Sequence, residues 1–468
     1  MLFMRVTRYL KAIGALAALV TLPSCESVTV DRVVPVSAVE IQGPGTIQVG
    51  SSAQFTAIPK DDLGNPLTGR TITWSTSDEN VATVGNSGLV TGHGPGSVTI
   101  TAMCEGRSAV AAVSVVAVFR SVTAGEGSTC GVTAGGEAYC WGEGGSGQLG
   151  NGFVADMLVP TMVSGGLQFS ELSAEGSHAC GVTTGGQGYC WGSGESGNLG
   201  NGSTTAMPVP TLVSGGLPFS MIDAGGFHNC GVTTAGRAYC WGSNEKSQLG
   251  VDNGSNEDMW FPTEVAAGLT FAEISAGSSH TCGVTAGGEA YCWGYGALGQ
   301  LGNGSTDNSA TPVLVSGDLT FSTTEASNAH TCGVTTGKQA FCWGHGLEGS
   351  LGNGSQDKQL APASVSGGLN LSDVSIGFDH ACGVTTEGKA YCWGTGDDGQ
   401  LGNGSTGLIS VPTPVLGGLT FSEIDAGDGY TCGVTVGGEI YCWGRGDKGQ
   451  LGNGSRMNAL VPTLVGGG

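Results

Sequence analysis

Fourteen of the sixteen cysteines form seven pairs with nine residues between partners, and five pairs have a histidine two positions ahead. The pairs are Cys130 and Cys140, Cys180 and Cys190, Cys230 and Cys240, Cys282 and Cys292, Cys332 and Cys342, Cys382 and Cys392, and Cys432 and Cys442. Thiols and imidazoles at such regular spacing can ligate metal or staple a fold. A zinc centre needs four ligands converging on one ion, usually in C-x2-C spacing, and pairs on separate repeats do not converge. In an oxidising compartment the same set is a disulfide framework, so a bond within each pair is expected. His178, His228, His280, His330 and His380 follow the same symmetry, with Ser128 and Tyr430 in the two remaining places. Symmetry spreads these imidazoles apart, which favours a hydrogen bond between adjoining repeats over a metal site.

Other reactive groups are sparse. Asp397 and Asp398 lie in a turn without an acid–base partner. Gly-x-Ser-x-Gly, His-Glu-x-x-His, phosphate-cradling and EF-hand spacings are absent from the sequence. The reading is a protein that is not an enzyme, with no cofactor and no metal. Lys+Arg number 16 against 38 Asp+Glu, for a formal charge of −22. Phosphate-backbone recognition needs clustered Lys and Arg, so nucleic acid is not the expected partner.

The cysteine pairs sit in a larger unit. CGVTAGGEAYCW starts at Cys130 and recurs at steps of 50, 50, 52, 50, 50 and 50 residues. A fixed period of this length marks a repeat architecture whose units supply each other's core. Each unit reads as four short strands, at 161–163, 169–174, 179–183 and 188–192 in the second copy. Cys130 and Cys140 are equidistant from Gly135, so Val132 and Ala138 share the Cys face of a hairpin. Tyr139 and Trp141 project from the other face. Aromatic rings laid on the small face of the next unit make the Trp-Gly tryptophans core residues. Seven β units without a helical pattern predict an all-β, seven-bladed β-propeller. Strands follow Pro160, Pro210, Pro262, Pro312, Pro362, Pro412 and Pro462, and none precedes Phe119. The strand at 461–465 is therefore expected to complete the first blade and close the ring.

Residues 1–24 form a targeting segment, with Arg5, Arg8 and Lys11 ahead of an apolar run at 12–22 that is too short to span a bilayer. It ends in Leu22-Pro23-Ser24-Cys25, which resembles the bacterial lipobox. The resemblance implies lipidation of Cys25, a tether over 25–33 and a membrane-anchored lipoprotein in the periplasm or on the cell surface of a bacterium. Residues 34–117 read as a β-sandwich of short alternating strands. Trp74-Ser75, Val81-Ala82-Thr83-Val84 and Gly88-Leu89-Val90 resemble the bacterial Ig-like domain of group 2, which implies a stalk module. Cys104 lies in a late strand of this unit and is left without a partner.

Over 118–468, Gly-x-x-His-x-Cys-Gly-Val, Ala-Tyr-Cys-Trp-Gly and Gly-Gln-Leu-Gly-Asn-Gly recur down the chain. The pattern resembles the regulator of chromosome condensation repeat, a seven-bladed propeller family acting through protein contacts. The resemblance implies a binding or scaffold protein with an unidentified protein partner, here exported and monomeric. An inhibitor of a secreted enzyme, like the propeller-type β-lactamase inhibitor, is the alternative within binding proteins. An enzyme acting on cell-surface glycans or peptides is the alternative outside them. Positions that vary between copies are free of the shared structural task. They are the residue after Trp-Gly (Tyr295, His345 and Arg445 among them) and the Gly-x-x stretch holding Phe227 and Phe378. Residue 127 opposes residue 143, so both sets emerge at one end of the ring. Aromatics and Arg on a rigid platform anchor protein interfaces. The 52-residue step adds Trp260, either a contact residue or a cover over blade four.

Overall fold

The computed structural model describes residues 33–251 and 254–466. The lipobox and Cys25 lie outside the described residues. Seven four-stranded antiparallel sheets follow one another along the chain. Blade one runs from the channel outward as Phe119–Ala124, Ser128–Thr133, Ala138–Gly142 and Met157–Met162. Its central hairpin pairs Cys130 with Cys140 and Val132 with Ala138. Gly136 makes the turn possible, because its φ of 91° lies in the left-handed region. The opposed cysteines are bonded in every blade, from Cys130–Cys140 to Cys432–Cys442, with Cα atoms 4.0–4.1 Å apart.

The expected closing strand is not there. Ala459–Leu464 pairs with Ile440–Gly444 in the seventh sheet, through Tyr441 opposite Leu464 and Cys442 opposite Thr463. Blade one lacks nothing, because the strand containing Pro160 is its own outer strand and not the first strand of blade two. The strand-to-blade assignment read from the sequence was thus one strand out of phase. The chain leaving Gly142 returns through residues 143–156 and lies antiparallel to Ala138–Gly142 in the same sheet. Proline fits in these strands because they are sheet edges.

Closure instead uses face-to-face contacts of the kind that join the other blades, with Tyr430 in the place of their histidines. The Tyr430 hydroxyl donates to the Ser128 carbonyl at 2.8 Å and accepts from the Thr129 hydroxyl at 2.9 Å. Trp141 Nε1 donates to the Gln450 carbonyl at 2.9 Å, and Gly454 N to the Leu158 carbonyl at 2.9 Å. Each Trp-Gly tryptophan is fully buried. In the second blade, Trp191 and Phe169 pack on Cys130, Val132, Ala138 and Cys140 of the first. A glycine lets the loop of one blade approach the indole of the next. A Cβ on Gly452 would stand 2.6 Å from Trp141 Nε1.

Ahead of the ring, Thr46–Gln48, Arg107–Val116, Gly96–Cys104 and Thr73–Thr76 form one sheet, and Ser52–Gln54, Leu89–Gly92 and Ala82–Val84 another. Ile47, Phe55, Val90, Val98, Ile100 and Val113 fill the space between them. Cys104 is buried and free there, with burial raising its thiol pKa. Val49 of this unit packs against the cluster containing Phe119 and Trp141.

Closure without a shared strand makes a testable statement. Tyr430→Phe removes the hydroxyl bridging blades seven and one and is expected to cost about 1–2 kcal/mol of unfolding free energy in denaturant titrations. Deleting 459–466 should leave amide exchange in Phe119–Ala124 slow. Loss of that protection would restore the strand-exchange picture.

Candidate functional site: the acidic channel and its mouth

The inner strand of each blade alternates side chains between the inter-blade core and the central channel. Ile222, Ile274 and Ile424 take the core side. On the channel side stand Glu171, Glu273, Asp373 and Glu423 at one level, and Thr123, Ser173, Asp223, Ser275, Glu325, Ser375 and Asp425 at the next. Neighbouring inner strands belong to separate sheets, so each leaves backbone N–H groups unpaired, and these need acceptors. Channel side chains supply them. Asp223 accepts from Ala276 N at 2.7 Å and from Ser173 Oγ at 2.8 Å. Asp425 accepts from Ala124 N at 2.8 Å and from Ser375 Oγ at 2.7 Å, joining blade seven to blade one. Serine and threonine perform the same service between carboxylates, as when Ser173 Oγ accepts from Ala224 N at 3.0 Å.

Burial and crowding raise the pKa values of these carboxyls. Burial first, and neighbouring acids second, push Asp223 up to about 6 and Glu171 to about 7. Burial likewise lifts Glu273 to about 7 and Glu423 to about 8, and it raises Glu325 and Asp425. Asp373 reaches about 6 for the same reason.

At one end the channel opens into a cavity of about 340 Å³. Phe227 and Phe378 line it while remaining 62% and 47% exposed, beside Glu126, Glu175, Asn198 and Asp428. Glu175 breaks the repeat, since the corresponding residues are Gly125, Gly225, Gly277, Ser327, Gly377 and Gly427. Burial, then Asp425, Glu126, Asp223 and Asp428, push its carboxyl up to about 8.

The residues singled out in the sequence divide into three groups. Phe227 and Phe378 meet at the cavity. Tyr295, His345 and Arg445 emerge at the same end, their backbone N–H groups bound to the carbonyls of Ser279, Ala329 and Gly429, but they stand outside the cavity lining. Arg445 is engaged by Asp398 at 2.9 Å and Asp428 at 3.1 Å. Trp260 sits apart, in the outer strand Met259–Glu264 of blade three. It packs on Gly197, and its carbonyl accepts from Gly202 N at 3.0 Å. It therefore covers a loop of blade two and not blade four, leaving its ring 47% exposed. The sequence reading missed Glu175, Asn198 and the channel carboxylates. The signal was present in the alternation of acid and hydroxyl down one column of the repeat.

The histidines are buried links between blades. Nε2 of His228, His280 and His380 lies 2.8 Å from Thr281, Thr331 and Thr431 Oγ1 of the next blade, and His178 Nε2 lies 2.8 Å from Asn229 Oδ1. His330 meets Ala381 instead, and its Nε2 has no partner among the described residues. Burial holds the imidazoles neutral, at about 3 to 4. Among the described residues no group of three His, Cys, Asp or Glu is arranged to hold a metal ion.

These shifts set a pH dependence. The channel carboxyls have folded pKa values raised to about 6–8, so their contribution is full below their unfolded values and lost as pH rises through that window. The histidines have lowered values, so theirs is present above about pH 6.5 and lost on acidification. Melting temperature should fall as pH rises from about 6.5 to 8, where the channel carboxyls still titrate and the histidines no longer offset them. Glu423→Gln should flatten the alkaline side of the profile. A stability rising through pH 8 would contradict this assignment.

Profiles of the regulator of chromosome condensation (RCC1) repeat match residues 119–148, 185–232, 235–284, 271–300, 287–334, 371–400, 387–434, 421–450 and 437–468. The bacterial Ig-like domain (group 2) matches residues 35–114. No curated protein sequence matches significantly. Among solved structures, human WBSCR16 is similar with a TM-score of 0.65 and 21% identity, over 70% of this chain and 93% of that one. Yeast RCC1 (Prp20), solved bound to Kap60, gives a TM-score of 0.63 and 19% identity, over 70% of this chain and 83% of that one. Prp20p from Saccharomyces cerevisiae, described with its binding properties to Gsp1p and histones, gives 0.63 and 19%, over 70% and 85%. With its repeats matched along the propeller and its blades arranged as in these structures, the chain belongs to the regulator of chromosome condensation repeat family and carries a group 2 bacterial Ig-like domain ahead of the ring.

Proposed function

We propose that this chain is an extracytoplasmic, lipid-anchored binding protein whose propeller takes a protein partner at the mouth bearing Phe227 and Phe378. One observation carries the reading. Two large aromatic side chains stand exposed on the rim of a cavity, at positions where the other blades have Gly, Ser, Ala, Asn or acids. The fold does not need them there, and isolated exposed aromatics around a concavity are typical anchors of protein contacts. Contact with protein partners also agrees with the relatives, since yeast Prp20p is described with binding to Gsp1p and histones. Export is supported by seven disulfides, which persist in oxidising compartments, and by the lipobox-like Leu22–Cys25 segment. The Ig-like unit would hold the ring away from the membrane.

Phe227→Ser and Phe378→Ser place in blades three and six the residues that blade four carries as Ser279 and Ser278. They should leave melting unchanged while weakening capture of a cross-linked partner about thirtyfold, as expected for an anchor of roughly 2 kcal/mol. Substitutions at Glu137 or Lys389, in the turns at the other end, should do little. Binding lost only from those turns, or only from Trp260→Ala, would move the site. Cys25→Ala should release the protein from the membrane fraction, and unchanged fractionation would remove the anchor.

A further inference from the structure

One side chain at the mouth is left with an unmet hydrogen-bonding need. In five blades a Gln at the end of the loop caps its own turn, as Gln148 Oε1 accepts from Ser146 N at 2.8 Å and Gln450 Oε1 from Lys448 N at 2.9 Å. Blade two carries Asn198 in this place, one methylene shorter, and makes no such bond. Its orientation follows from its neighbours. Asn229 Nδ2 donates to the Asn198 carbonyl, which turns Asn229 Oδ1 toward His178 Nε2 at 2.8 Å. An amide oxygen only accepts, so Nε2 carries the proton of the neutral ring and Nδ1 is the acceptor. Asn198 Nδ2 therefore donates to His178 Nδ1 at 3.2 Å. Asn198 Oδ1 is left as a free acceptor on a side chain only 4% exposed, in the wall of the mouth cavity.

The rest of the cavity asks for the same kind of ligand. Glu175 lines it, and its carboxyl accepts no hydrogen bond from any described residue. Glu126 and Asp428 add carboxylates, and of these Asp428 is paired with Arg445. Phe227 and Phe378 present aromatic rings. A buried orphan acceptor, an unbonded carboxyl and two π-faces together match a planar cation with several N–H donors. At about 340 Å³ the cavity is at the small end of ligand pockets, the right scale for a side chain and not for a folded element.

The geometry points to an arginine side chain, presented by a protein partner, as the occupant of the mouth, with its guanidinium held by Glu175 and Asn198 Oδ1 between Phe227 and Phe378. This rests on the mouth being the contact surface and names what that surface recognises. Lysine fits less well, because a single ammonium lacks the fork that serves two acceptors at once. Glu175 faces Asp425, Glu126, Asp223, Asp428 and the neutral His178, and without a cation its carboxyl ionises only near pH 8. Seating a guanidinium beside it expels that proton to solvent. Binding near pH 7.5 should then release a proton, and affinity should rise between pH 6.5 and 8.5.

The probe is a set of short Gly-Ser peptides, each with a single central Arg, Lys, Gln or Glu, titrated calorimetrically into the full chain in buffers of different ionisation enthalpy. The Arg peptide should bind with proton release, more tightly than Lys, and Gln and Glu peptides should not bind. Glu175→Gly and Asn198→Gln restore residues that five other blades carry, so both variants should fold. Each should weaken the Arg peptide by about tenfold or more, and Glu175→Gly should abolish the proton release. Equal affinity for Arg and Gln peptides, no measurable Arg binding, or indifference to both variants would overturn the proposal. If partner capture still depended on Phe227 and Phe378 in that case, the mouth would remain the contact surface and only its preference for a cation would fall. If capture depended on neither Phe, the contact reading itself would fail.

Discussion

An indole ring lying on the flat, disulfide-bearing face of its neighbour is the contact from which the propeller follows. Each blade offers one aromatic face, with Trp191 and Phe169 in blade two, and one small face, with Cys130, Val132, Ala138 and Cys140 in blade one. Neither face can be left in water, and neither matches a copy of itself. The only arrangement that buries all of them stacks each blade on the next until the seventh meets the first. Burying a ring of this size contributes on the order of 4–6 kcal/mol. The disulfide adds to this by keeping the receiving hairpin in register. Loop glycines such as Gly452 permit the approach, and the loop carbonyl beside them accepts the indole N–H.

Stacking of this kind joins blades by their faces and leaves the inner strands of adjacent sheets unpaired toward the channel. The acids and hydroxyls of the channel answer that deficit, as Asp223 does for Ala276 N and Asp425 for Ala124 N. The cost is a column of carboxyls held close together, with pKa values pushed up toward neutrality by burial. The channel is thus structural in most of its length, and its acidity belongs to the scaffold. Blade two departs from this at the mouth, where Glu175 replaces Gly and Asn198 replaces Gln. Both changes remove a shared structural role and place polar side chains in the lining of the mouth cavity.

The histidine belt shows how the same scaffold absorbs residues that look reactive. Each imidazole is buried, neutral and, in four of five blades, spent on a partner in the next blade. Where Ala381 replaces that partner, His330 keeps its place in the core without the bond. Symmetry thus separates groups that would have to converge for metal binding.

The periodicity of the chain determined a good deal by itself. The 50-residue period, the hairpin centred on Gly135 and the two-residue alternation specify seven β units, the cysteine pairing and the burial of tryptophan. The hairpin and the cysteine pairing depend on residues within a dozen positions of each other, and the burial of tryptophan on the same pattern recurring one period away. It did not determine where one blade ends and the next begins, because a repeating pattern has no phase of its own. The strand at 157–162 could close either sheet on paper, and only the direction of the chain after Gly142 assigns it to blade one. Nor could the sequence place Glu175 beside Asn198, Phe227 and Phe378. These residues come from three blades and meet only because the ring closes around a narrow channel. Their chemistry as a group, and the protonation that crowding imposes on Glu175, exist in the tertiary structure alone.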